Sequence, residues 1–186
     1  MRNRIASVLR EALIGGLIAY LAVVVVFALL NVVQGRSPFH TAAAMGAVIF
    51  HGGEAASAFA LDPAPILAYN GIHLLGSLLV AAVAAFLVYE TELHRSLWYF
   101  GFTVLVAAVI YGIAIFGIAG AEIGGVLDWW TVVLGTLVWA GSMSAFFVWV
   151  HRGLLVDIRA QAREVEAEDA SSGGAAIPGA RPSGTG

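Results

Sequence analysis

The chain has no cysteine among its 186 residues, which excludes disulfides, thiolate metal sites and cysteine nucleophiles. It also has no lysine, so every strong base is an arginine. Charge of either sign is scarce, at 11% of residues against roughly 25% in an ordinary soluble domain. The net charge of −3 offers no basic surface for nucleic acid. No phosphate loop, dinucleotide fingerprint or metalloprotease helix is present. The middle of each long apolar run has no Asp, Glu, Arg or His. That argues against a voltage sensor and against a transporter driven through a mid-membrane carboxylate.

What the sequence has in quantity is apolar surface. Hydrophobic residues make up 60% of the chain and the mean hydropathy is +0.90. The composition is that of an integral membrane protein, and a lysine-free, alanine- and glycine-rich chain points to a bacterial source. About 20 apolar residues cross a bilayer as a helix. Four runs meet that length, over 13–33, 66–89, 97–119 and 129–150. The expected fold class is therefore an all-α bundle of four transmembrane helices. A cytoplasmic N-terminus would occupy 1–12. The first run is too long for the apolar core of a signal peptide, and Val32-Val33-Gln34 is a poor cleavage site, so an uncleaved first span is expected.

The connection over 34–65 is the only long one between runs. Ser37-Pro38 starts a helix, with a capping oxygen followed by a proline that needs no N–H. Phe39 to Phe50 is apolar, and Gly52-Gly53 stops it. A helix of about 14 residues is too short to span, which fits either a re-entrant or an interfacial segment. Asp62-Pro63 starts the next helix, whose first turns carry Tyr69, Asn70 and His73 above its apolar core.

Orientation follows from arginine. Arg2, Arg4, Arg10, Arg95, Arg152, Arg159, Arg163 and Arg181 fall on one side and Arg36 on the other. Positive residues stay inside, so both termini face the cytoplasm of a bacterial inner membrane and the long connection faces out. Residues 151–169 repeat apolar positions at helical spacing and read as a cytoplasmic amphipathic helix. The Ser-, Gly- and Pro-rich stretch 170–186 has too little apolar bulk to order itself.

Helices in lipid associate through small residues that let backbones approach. Ala108 and Gly112, then Gly117 and Ala121, supply this on the third run, and Gly141 on the fourth. Gly15, Gly16 and Ala19 do so on the first, and Ala81 and Ala85 on the second. These faces pack the bundle itself, or meet a membrane-protein partner or a second copy.

The chemistry-bearing residues gather outside. His51, Glu54 and His73 form the candidate metal site, since imidazole with carboxylate suits zinc, iron or copper. His40 and His51 share a helix face but stand three turns apart, about 16 Å, too far for one ion. Nothing in the sequence requires a cofactor, and it holds no catalytic constellation. The reading is thus a non-enzymatic accessory or scaffold subunit embedded in the lipid bilayer. The alternatives are a metal- or haem-binding membrane protein with its site on the outer face, and an oligomeric permease for neutral solutes.

Overall fold

The protein was analysed as a computed structural model. The structure describes residues 2–51, 61–94 and 128–153, and singly 103, 106, 107, 110, 156, 160, 163, 166 and 167. All regular structure among them is helical. We number the helices α1 (Arg2–Val33), α2 (His40–His51), α3 (Pro63–Leu93) and α4 (Trp129–Val150). α1, α3 and α4 are long and apolar enough to cross a membrane, whereas α2, with 12 residues, is not. The third apolar run, 97–119, lies almost wholly outside the described residues; Thr103, Val106, Ala107 and Ile110 within it are helical. Its packing residues Ala108, Gly112, Gly117 and Ala121 are outside the description too.

Contacts divide the chain into two units, Met1–Val150 and His151–Gly186. In the second unit the described residues from Arg152 to Ala167 are helical, and Val156 is exposed.

The first unit is built on α1, which packs along α3 and α4 and touches α2. It is longer than its apolar run. The arginine-bearing segment before Leu13 continues the same helix, because nothing there breaks it: no glycine or proline occurs before Gly15. At its far end Gly35 adopts a positive φ of 71°. Gly35 N–H donates to Val32 O at 2.9 Å and Arg36 N–H to Asn31 O at 2.8 Å, the paired bonds of a glycine-terminated helix. The chain then turns at Ser37, whose carbonyl accepts from His40 N–H at 2.9 Å, and α2 begins.

α3 begins as its sequence dictates. Asp62 Oδ1 accepts from Ala64 N–H at 3.0 Å, and Pro63 fills the first position. It ends later than the apolar pattern suggests, since the polar stretch Glu90–Leu93 continues the helix. Thr91 returns its hydroxyl to Leu87 O at 2.8 Å, so the polar residue extends the helix instead of opening a link.

The packed seam is made of small residues. Ala12 and Ala19 of α1 are buried with Ala81 and Ala85 of α3, and Met143 and Phe147 of α4 close the same cluster. Gly16 lies directly on α3: a Cβ there would stand 2.9 Å from Leu78 Cα and 3.0 Å from Ser77 O. On α4, Gly135 receives the Phe27 ring, 2.8 Å from where its Cβ would be. Outside the seam, Leu13, Leu17, Leu21, Val25 and Leu29 form an exposed apolar stripe on α1, repeated by Leu75, Leu79 and Val83 on α3. Large apolar side chains face outward and small ones inward, the pattern of helices solvated by lipid.

The contacts fix direction. Arg4 pairs with Tyr89, Gly16 with Leu78 and Tyr20 with Asn70, so α1 and α3 are antiparallel. Gly15 meets Phe146 and Phe27 meets Gly135, so α1 and α4 are antiparallel too. It follows that α3 and α4 run the same way, and Trp139 Nε1 donating to Ser77 Oγ at 3.0 Å agrees.

α2 is short but not peripheral. Ala43, Ala44, Met45, Gly46 and Ala47 are all buried, and five successive residues pass round the whole circumference of a helix. Its closest approach is to the start of α3, where a Cβ on Gly46 would stand 2.7 Å from the Pro65 carbonyl carbon. Proline serves this crossing well, because it brings no N–H that the approach would strand.

Candidate functional site

Two polar clusters stand out within the apolar frame. The first lies at the end of the bundle where α1 stops and α2 and α4 start. Asn31 is the one amide in the α1 apolar run, and it is buried at 4% exposure. Its Nδ2 donates to Thr41 Oγ1 at 3.0 Å and, at 3.4 Å, to Pro38 O. The Thr41 hydroxyl donates back to Asn31 Oδ1 at 3.2 Å. An apolar helix would leave such an amide costly; here it is fully engaged and pins the first turn of α2 to the last turn of α1.

Beside this pair is a cavity of about 30 Å³. Besides Asn31 and Thr41, it is lined by Phe27, Leu30, Gln34, Arg36, His40, Asp128 and Thr131. Thr131 is held in place by its own helix start, where its N–H and hydroxyl both donate to Asp128 O, at 2.9 Å and 2.6 Å. Asp128 itself is exposed. Arg36 and Asp128 both line the cavity and form no ion pair with each other within 4.0 Å. Burial, and after it the Arg36 guanidinium, holds the His40 imidazole below its usual value of 6.5.

The second cluster is inside the bundle, between α1 and α3. Tyr20 donates from its hydroxyl to Asn70 Oδ1 at 3.0 Å, and Asn70 Nδ2 donates to Ile66 O at 2.8 Å. The His73 ring lies between two tyrosines: the Tyr20 ring meets it edge-on with centroids 5.6 Å apart, and Tyr69 stands at 5.9 Å. His73 is half-buried. On the sequence it is expected above the apolar core of its helix. Ser77, one turn further along α3, bonds to Trp139, halfway along α4. His73 is therefore about 6 Å of helix rise from the level of the α4 midpoint.

Of the expected metal residues, His73 is the described one. His51 closes α2, with its side chain outside the description, and Glu54 lies outside it altogether. Among the described residues no three His, Cys, Asp or Glu side chains come together in a way that could hold a metal ion. Gly141 is described and exposed; a Cβ there would meet no described atom within 4 Å. Sequence reasoning passed over Asn31, Tyr20, Arg36 and Asp128 as members of clusters. The signal for the first two was there: each is a polar group interrupting an apolar run, which a membrane helix rarely carries without a partner.

No protein-family model matches the chain, and neither the curated proteins nor the solved structures include a detectable relative.

Proposed function

We propose that this is an accessory or scaffold subunit of the bacterial inner membrane, acting by helix packing against another membrane protein. The observation that carries the reading is the outer face of α4. Gly141 and Ala145 are exposed one turn apart, between exposed Leu137 and Val148. Small residues four apart let a second helix approach closely, and lipid gains nothing from them. On the same reading the bundle has four crossings. α3 and α4 run parallel, so the chain between His94 and Asp128 has to return from one end to the other, and the apolar run 97–119 is the length for it. Both termini are then cytoplasmic, supported by the arginines at one end against Arg36 at the other. The short α2, enclosed by protein, belongs to the outer side as a re-entrant segment.

The test is native mass spectrometry of the protein gently extracted from its own membrane, with and without Gly141→Leu and Ala145→Leu together. The expected result is a heteromeric mass that the double variant loses. A wild-type protein found only as a monomer, or a complex indifferent to the substitutions, contradicts the reading; a homo-oligomer moves the weight to self-assembly and to a permease built from several copies.

A second reading has one observation in its favour: His73 is an ionisable group within a spanning helix, which is where functional side chains of membrane proteins concentrate. A metal or haem held by His73 with His51 and Glu54 would be lost on His73→Ala. Protein from native membranes that carries neither metal nor haem counts against it.

A further inference from the structure

We propose that the cavity between the ends of α1, α2 and α4 is a site for the zwitterionic headgroup of a phospholipid carrying a primary ammonium, such as phosphatidylethanolamine. The inference rests on the membrane orientation proposed above. Three observations carry it. First, the cavity is lined by charges of both signs, Arg36 and Asp128, that do not pair with each other within 4.0 Å. Opposite charges across a small space suit a ligand that is itself a dipole, with phosphate toward the guanidinium and ammonium toward the carboxylate. Second, the size fits one end of that dipole. About 30 Å³ holds a group the size of a water or an ammonium, not a whole headgroup. The ammonium therefore enters beside Asp128, and the phosphate stays at the mouth, where Arg36 is exposed. Third, the level is right. Trp129 and Trp130, both exposed, directly follow Asp128, and tryptophan collects at the headgroup level of a bilayer. Phe27 and Leu30 are the apolar residues lining the cavity, and the glycerol and first methylenes of the lipid would lie against them.

The test uses the full chain in detergent, stripped of lipid and offered equal amounts of phosphatidylethanolamine, phosphatidylcholine and phosphatidylglycerol with the same acyl chains. Native mass spectrometry reads the retained adduct. The wild type is expected to favour phosphatidylethanolamine over phosphatidylglycerol by roughly fivefold, the weight of one charge at a headgroup surface, and over phosphatidylcholine because a trimethylammonium is too large for a cavity of about 30 Å³. Asp128→Asn should abolish the preference over phosphatidylglycerol and phosphatidylcholine, and Arg36→Gln should lower retention of all three. Asp128→Asn keeps the backbone carbonyl that receives Thr131, and an unchanged thermal transition checks that the helix start survives. Equal retention of the three lipids by the wild type overturns the proposal, as does an Asp128→Asn protein that keeps the preference. Soluble phosphoethanolamine that competes fully with the lipid would also overturn it, in favour of a site for a free zwitterion.

Discussion

At the scale of single residues, the described interior is held by a few polar contacts, each set among small apolar neighbours. Ser77 is 1% exposed and accepts from the Trp139 indole at 3.0 Å, tying α3 to α4 where little else joins them. Hydrogen bonds between membrane helices contribute about 0.6 kcal/mol on average. Ser77→Ala should therefore cost about that much in unfolding free energy, and Trp139→Phe a similar amount plus any packing loss. The double variant should cost less than the sum, because the bond can be lost only once. The His40 ring provides a pH signature. Its folded pKa is depressed, by burial first and by Arg36 second, below the 6.5 of the unfolded chain. Between those two values the unfolded chain binds the proton and the folded one does not. Stability is thus full above 6.5, falls as the pH drops through it, and levels off below the folded pKa. Thermal unfolding followed from pH 8 to 5, roughly spanning that window, should show this fall in the wild type and a smaller one in His40→Gln. Equal slopes would remove His40 from the account.

At the scale of elements, most of the architecture was legible and the reasons are local. Asp62-Pro63 starts α3 by capping, and the apolar runs marked α1, α3 and α4 as helices long and apolar enough to span a membrane. The existence of α2 followed from Ser37-Pro38 and the apolar run to Phe50. The ends were less legible. Arg2–Arg10 and Glu90–Leu93 continue their helices, because polarity marks where a membrane ends and not where a helix does. The clusters were hardly legible at all, since Tyr20 with His73 and Asn31 with Thr41 depend on register between helices, which no single run encodes. The expected site residues remain split: His73 sits among tyrosines, while Glu54 and the His51 side chain lie outside the described residues. Two glycines carry the element packing. Gly16→Leu has no space against the Leu78 backbone and should push α1 off α3, at about 1–3 kcal/mol or more if the backbone cannot yield. Gly46→Leu meets Pro65 and should dislodge α2 while leaving the α1–α3 seam intact. Protease sensitivity around α2, set against global thermal unfolding, separates the two effects.

At the scale of the whole molecule, the direction of the helices decides the topology. α1 is antiparallel to both α3 and α4, and the proposed return crossing and the proposed headgroup level of the cavity beside Asp128 both depend on it. The absence of cysteine makes this directly measurable, because each introduced thiol is the only one. Single variants Ser37→Cys, Leu93→Cys, Trp129→Cys and Gly153→Cys would be treated in intact cells with a thiol reagent that does not cross the membrane, and again after permeabilisation. Positions 37 and 129 are expected to label from outside, and 93 and 153 only once the membrane is opened. Labelling of Leu93→Cys and Trp129→Cys from the same side would contradict the return crossing, and with it the four-span bundle.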